Sequence, residues 1–220
     1  RELNYKSKPL PIYPMQGFTD ISDGETGLAV LSKGLPEYEI YDNNTIALTL
    51  MRSVGKMGKS DLEIRPGRVS GIEFNTPDSQ MIGKYEFEFA IAPHSGDYST
   101  AGIQRLSTLY STPVSTKQFM EDIKTGKRAV RQEYIELTGK DIEISALKKA
   151  ERDKNIILRL FNPSQNISKN NKIKVNFPHS SVSITSLKET ADLGNLEISD
   201  GFYTLPDLKN AEILTLKIIL

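Results

Sequence analysis

Tyr85, Phe87, Phe89 and Ile91 occupy every second position between Lys84 and Pro93, with Glu86, Glu88 and Ala90 between them. Successive side chains of a strand point to opposite faces of a sheet. A period of two therefore commits this segment to β structure, with four large residues on one face and two glutamates on the other. The large face is expected to be buried and the glutamate face to meet water.

Short apolar runs broken by turn residues extend that reading along the chain. Phe18 to Ile21 is followed by Ser22-Asp23-Gly24, and Gly27 to Leu31 by Ser32-Lys33-Gly34. Tyr38 to Tyr41 is followed by Asp42-Asn43-Asn44, and Thr45 to Arg52 makes a further run. This rhythm predicts antiparallel strands. It resumes at Tyr134 to Leu137, Ile142 to Leu147, Ile156 to Phe161, Ile173 to Phe177, Val182 to Leu187 and Ile213 to Leu220. Asn162-Pro163-Ser164 and Leu193-Gly194-Asn195 read as turns between them. Ala146 to Arg152 has helical propensity, but its place between β-rich runs favours strand.

One short helix is expected. Ile103, Leu106 and Tyr110 recur at helical spacing, Ser99 or Thr100 can cap the start, and Pro113 ends it. The fold class is therefore all-β with one short helix. Pro9, Pro11 and Pro14 make residues 1–14 an extended linker. Residues 52–84 form a long loop rich in Gly, Lys, Pro and Ser, and 116–133 is a charged segment without a clear period.

Composition narrows the function classes. Lys+Arg and Asp+Glu are equal at 28 each, so no basic stripe marks a nucleic-acid binder. There is no cysteine, which removes thiolate metal sites and disulfides and fits a cytoplasmic setting. No apolar run approaches the roughly 20 residues of a membrane span. The sequence opens on Arg1 rather than Met, so it is expected to be a piece of a longer polypeptide.

Several blocks, in order, resemble glycoside hydrolase family 38, the α-mannosidases. They are QGFTDISDGETGLAVL from Gln16 to Leu31, GLPEYEI from Gly34 to Ile40, and IALTLMRSVG from Ile46 to Gly55. TPDSQ from Thr76 to Gln80, FEFAIAPH from Phe87 to His94, and LRLFNPS from Leu158 to Ser164 follow. The bacterial branch, which includes mannosylglycerate hydrolases, is the most similar. The resemblance implies the end of a galactose-mutarotase-like β-sandwich over residues 15–132 and a smaller C-terminal β-sandwich over residues 133–220. It also implies a retaining α-mannosidase whose aspartate nucleophile and zinc ion lie in an N-terminal catalytic domain. This chain would then carry no catalytic residue, metal or cofactor of its own. Its partners would be that catalytic domain and the mannoside, with room left for a homo-oligomer. The remaining readings are a stand-alone carbohydrate-binding module or an assembly domain. The absence of Trp, with Tyr and Phe read mostly as core, argues against the first of these.

Three residues are candidates to line the substrate site. The resemblance is densest around Asp20 to Glu25, so Asp23 and Gly24 are placed at its border, although Asp23-Gly24 is also a simple turn former. Arg52 shares parity with Ile46, Leu48 and Leu50, which puts a charge on an apolar face. A buried charge needs a partner, so Arg52 either emerges to solvent, pairs with a structural carboxylate, or reaches the mannoside. The only histidines, His94 and His179, lack a neighbouring ligand at metal spacing and read as structural. Lys56, Lys59, Arg65 and Arg68 in the long loop suit an anionic substrate, or simply solvent.

Overall fold

The computed structural model describes residues 10–67, 69, 71–116 and 132–220. The chain divides into two compact units, Arg1–Val114 and Ser115–Leu220. The charged segment of unclear period lies largely outside the described residues, as do residues 1–9 and Arg68.

The first unit contains β1 (Ile12–Pro14), β2 (Phe18–Ser22), β3 (Thr26–Ser32), β4 (Glu37–Tyr41) and β5 (Thr45–Leu48). Four two-residue strands follow: β6 (Lys56–Met57), β7 (Asp61–Leu62), β8 (Arg65–Pro66) and β9 (Phe74–Asn75). It closes with β10 (Phe89–Ser95) and α1 (Ile103–Ser111). One antiparallel sheet has the order β1-β4-β5 and another β10-β3-β2, while β6 pairs with β9 and β7 with β8. Ile12–Pro14, expected as linker, is thus a strand with Tyr13 opposite Tyr38. The long loop is not structureless, since it folds into two tiny ladders and a 3₁₀ turn at Pro77–Gln80.

The alternation at Lys84 to Pro93 is real, but the expected burial is inverted. Regular strand begins only at Phe89, and Tyr85, Phe87, Phe89 and Ile91 are all exposed. The small side chains between them face inward. Ala90 and Ala92 pack with Phe18 on a cluster of Ala29, Leu31 and Ile103, so α1 lies on the small-residue face. Alanines let a helix approach a sheet closely, which large residues would prevent. The expectation that Tyr and Phe mostly form core fails for the same stripe, and for Tyr13, Tyr41, Phe74 and Tyr134, which are exposed.

Helix α1 starts at Gly102 in a left-handed conformation, not at a Ser or Thr cap. The Asp97 carboxylate instead accepts the Thr100 N–H in the preceding turn, at 2.7 Å. Thr112 is extended just before Pro113, because the proline ring disfavours helical backbone in the residue ahead of it.

The second unit contains β11 (Ile135–Thr138), β12 (Glu143–Lys149), β13 (Ile156–Phe161), β14 (Lys172–Val175) and β15 (Ser181–Thr185). β16 (Asp192–Asn195), β17 (Ile198–Ser199), β18 (Phe202–Thr204) and β19 (Ile213–Ile219) complete it. Two antiparallel sheets, β11-β14-β18-β17 and β12-β13-β19-β15-β16, share one core. Cross-strand rows show how it is built. Leu158 faces Leu216 and then Ile184, and Ile156 faces Ile218 and then Val182. These residues meet Ile173, Val175 and Tyr203 of the other sheet, so the second unit is a β-sandwich. Leu193-Gly194-Asn195, expected as a turn, lies in edge strand β16. Of Ala146 to Arg152, expected as strand, Ala146 to Lys149 is strand and residues 150–152 are not.

Loops of the sandwich are fixed by buried amides. Asn162 is fully buried; its Nδ2 donates to Asn166 O at 2.7 Å and Leu208 O at 2.9 Å, and its Oδ1 accepts the Ser164 N–H at 2.8 Å. Those bonds make the turn that Asn162-Pro163-Ser164 suggested.

Candidate functional site

Asp23 Oδ1 accepts the backbone N–H of Glu25 at 2.9 Å and of Thr26 at 2.8 Å. These two donors, Thr26 first, hold the Asp23 carboxyl below its ordinary value. Gly24 has φ +94°, a left-handed conformation that favours glycine. The two residues thus form the tight β2–β3 turn. Asp23 is a ready acceptor on the surface, with its oxygen already turned to the backbone.

Arg52 lies four residues beyond the end of β5, so the strand parity that put it on an apolar face does not reach it. Its guanidinium is 62% exposed, and Nη1 donates to both Glu37 oxygens at 3.1 and 3.2 Å. Of the readings open in the sequence, the structure realises two together: Arg52 is solvated and paired with a carboxylate.

The long loop also pairs its charges locally. Lys56 Nζ lies 2.9 Å from Glu73 and Lys59 Nζ 3.4 Å from Asp61. The Lys56 contact raises that ammonium's pKa, chiefly through the hydrogen bond to Glu73. The Nε of Arg65 is buried without a hydrogen-bond partner among the described residues.

Sequence spacing could not reveal the buried pair of His94 and Asp20. His94 Nε2 lies 2.6 Å from Asp20 Oδ1, with side chains only 6% and 8% exposed. His94 sits opposite Gly27 across β10–β3, and Asp20 opposite Ala29 across β3–β2. The two residues are 74 positions apart, so only the sheet joins them. His94 Nδ1 is buried and unbonded among the described residues. His179 is also held, by Phe177 O at Nδ1 and Tyr203 Oη at Nε2, each at 2.8 Å. Burial holds the Tyr203 hydroxyl above its ordinary pKa.

The second unit carries a groove of about 470 Å³ lined by Tyr134, Leu147, Lys148, Lys149, Ile156, Phe177 and Leu220. Apart from Lys148 and Lys149, its lining residues are aliphatic or aromatic. No group of three or more His, Asp and Glu side chains comes together among the described residues. No helix among them is long and apolar enough to cross a membrane.

The two-sheet unit, and the unit of smaller sheets that precedes it in the sequence, have counterparts among known proteins. Residues 141–216 match the family described as "Glycosyl hydrolases family 38 C-terminal beta sandwich domain". Among curated proteins it is 32% identical over 151 residues to a "Putative mannosylglycerate hydrolase" of Halalkalibacterium halodurans. That alignment spans 69% of this chain but 15% of the relative. Two solved structures share the fold. A glycosyl hydrolase family 38 protein from Enterococcus faecalis, 23% identical, aligns over 94% of this chain and 22% of its own, with TM-score 0.68. An alpha-mannosidase from Enterococcus faecalis V583, also 23% identical, aligns over 96% of this chain and 21% of its own, with TM-score 0.68. The chain therefore spans about a seventh of the curated relative and about a fifth of the solved structures.

Proposed function

We propose that this chain is the noncatalytic C-terminal β portion of a retaining family 38 α-mannosidase, one that scaffolds a catalytic domain elsewhere in the same polypeptide and borders its mannoside site. One observation carries this reading: 32% identity to a mannosylglycerate hydrolase homologue extends over most of this chain while occupying a small share of that protein. A retaining glycosidase needs two carboxyl groups about 5 Å apart. In this reading that pair, and the zinc that grips the sugar, belong to the rest of the polypeptide. Arg52, Asp23 and Gly24 are surface groups at which the bordering contact would be made.

The test compares the 220-residue chain with the same chain joined to the polypeptide encoded upstream, each assayed on an aryl α-mannoside. The expected result is turnover by the joined protein with retained anomeric configuration, read by proton NMR, and none by the shorter chain. Equal turnover by the shorter chain sinks the reading, as does a joined protein inactive on every α-mannoside.

A specific feature favours a second reading, carbohydrate binding by the chain itself. Tyr85 and Phe87 are exposed and stacked, with ring centroids 6.5 Å apart. Sugar rings pack on such faces. Glycan-array binding by the 220-residue chain, abolished by Tyr85→Ala, would favour this alternative.

A further inference from the structure

The larger sheet of the second unit has an outward face that is polar and yet buried. Val182, Ile184, Leu216 and Ile218 turn to the sandwich core, so alternation puts Ser183, Thr185, Thr215 and Lys217 on the other side. Ser183 is 3% exposed, and Thr185 and Thr215 are buried with it. The β15–β16 connection folds back over these strands. Between connection and sheet lies a pocket of about 240 Å³. Ser183, Lys217 and Ile219 line it from the sheet, and Thr190, Ala191 and Asp192 from the connection and the start of β16.

The connection is held firmly in place. Ser186 Oγ accepts the N–H of Thr190 at 3.1 Å and of Ala191 at 3.3 Å. Thr185 Oγ1 donates to Ala191 O at 2.7 Å, and Arg159 Nη2 donates to Leu187 O at 3.1 Å. Glu189, another lining residue, has φ +61°, a left-handed conformation that costs a non-glycine residue energy. Its side chain is tucked in between Lys148 and the Glu151 N–H, which keep it there. The pocket is thus formed before any ligand arrives, and binding need not order the connection.

Its polar groups are mixed in kind. Thr185 and Thr215 have side-chain partners, Ala191 O and Arg159 Nε. The Ser183 hydroxyl makes no hydrogen bond with the other described residues, although a buried polar group ordinarily has one. Asp192 Oδ1 accepts the Gly194 N–H at 3.0 Å, which leaves its other oxygen as an acceptor. Lys217 Nζ donates to Asp153 Oδ2 at 2.5 Å and has further donors. The charges largely cancel, Glu189 against Lys148 and Lys217 against Asp153, so no excess positive charge marks the pocket for an anion. The Lys217 ammonium equally disfavours a cation.

We infer that this pocket binds one neutral hexose. Each sugar hydroxyl both donates and accepts, which matches a hydroxyl, an ammonium and a carboxylate set side by side. Ala191 and Ile219 offer apolar surface to the C–H bonds of the ring. The volume is below the roughly 300 Å³ where sites for drug-sized molecules begin, and it suits a single ring. The inference goes beyond the enzymatic reading and does not depend on it. It shares the ligand class of the second reading but uses other residues, in the other unit.

The 220-residue chain, isotope-labelled, is titrated with D-mannose, D-glucose and D-galactose in turn and followed by amide correlation NMR. At least one hexose should shift the amides of Ser183, Thr190, Asp192 and Lys217 saturably, with Kd of about 1–10 mM. Ser183→Ala should weaken that hexose at least about threefold and leave the fold intact, because the hydroxyl has no partner to lose. Unchanged affinity in Ser183→Ala overturns the inference. Should that variant not fold, Asp192→Asn decides by the same criterion. The absence of saturable shifts at these amides with all three hexoses up to about 100 mM also overturns it. D-gluconate, an anion of similar size, should bind more weakly than the hexose, and tighter binding overturns the neutral class. Tyr85→Ala should leave Kd within about twofold, since distant sites act independently; loss there would move the binding to the first unit and overturn the pocket. Mannosidase assays on the joined protein keep the readings apart. Turnover without hexose binding at Ser183 sinks this pocket alone, and binding without turnover sinks the enzymatic reading alone.

Discussion

His94 on β10 reaches Asp20 on β2 across the intervening strand, Nε2 to Oδ1 at 2.6 Å, passing over Gly27. A Cβ at Gly27 would collide with the imidazole and with Ser22. Gly27 is not among the glycines of positive φ, so its role is space and not backbone freedom. Gly27→Ala should destabilise the first unit by about 1–3 kcal/mol through overpacking. His94→Ala should cost about 3–5 kcal/mol by leaving the buried Asp20 carboxylate alone. Urea unfolding of the whole chain reads both. The double variant Gly27→Ala/His94→Ala should lose less than the sum of the two single losses, because the clash with the imidazole is gone and only the contact with Ser22 remains; a fully additive loss would refute the steric account.

The two units should respond oppositely to truncation of large apolar residues. Leu158 is fully buried between the sheets of the second unit, and Leu158→Ala should cost about 2–5 kcal/mol. Ile91 looks larger on a hydropathy reading of its strand, yet Ile91→Ala in this chain should change stability by less than about 0.5 kcal/mol. Thermal or urea denaturation measures both, and a large loss at Ile91 would show its face to be covered.

Asn162 satisfies three backbone groups of the second unit from a fully buried position. Asn162→Ala should cost about 2–4 kcal/mol, since each orphaned group carries its own desolvation penalty. Asn162→Asp should be no milder, because a carboxylate cannot donate to Asn166 O and Leu208 O. Amide hydrogen exchange at Ser164 would report the loosened turn.

Glu189 lies beside Lys148, 2.8 Å away, and accepts the Glu151 N–H at 2.9 Å. The Lys148 hydrogen bond, then the Glu151 N–H, hold its pKa below the usual carboxylate range. A depressed folded pKa gives stability that is present above the unfolded value and lost as pH falls through the folded one. Glu189→Gln should therefore lower Tm at neutral pH by an amount worth about 1–2 kcal/mol. The gap from the unsubstituted chain should close below about pH 4. A gap constant from pH 7 to pH 3 would rule out the ionic part.

Arg52 and Glu37 form an exposed pair, so Arg52→Ala should change stability by less than about 0.5 kcal/mol. In the joined polypeptide, turnover on an aryl α-mannoside should fall by more than about tenfold, or 1.4 kcal/mol, if the guanidinium meets the substrate. Unchanged turnover would make Arg52 a surface ion pair alone.

Local pattern alone specified much of this protein. Short apolar runs broken by turn residues marked strands at Phe18 to Ile21, Gly27 to Leu31 and Ile156 to Phe161, and each is found there. Ile103, Leu106 and Tyr110 marked the helix, and Pro113 its end. The weak elements were missed, among them β16, β17 and the small ladders of the long loop, because pairing partners and not their own residues hold them in place. The candidate site was legible only as a turn. Asp23-Gly24 is one, whereas the His94–Asp20 pair required strands distant in sequence to be neighbours.

A strand's sequence says that it has two unlike faces, since alternation is a property of the extended backbone. It does not say which face is covered, since covering is done by other elements. At β10 the helix chose the alanines, because only small side chains admit it closely, and Phe89 and Ile91 were left on the open side.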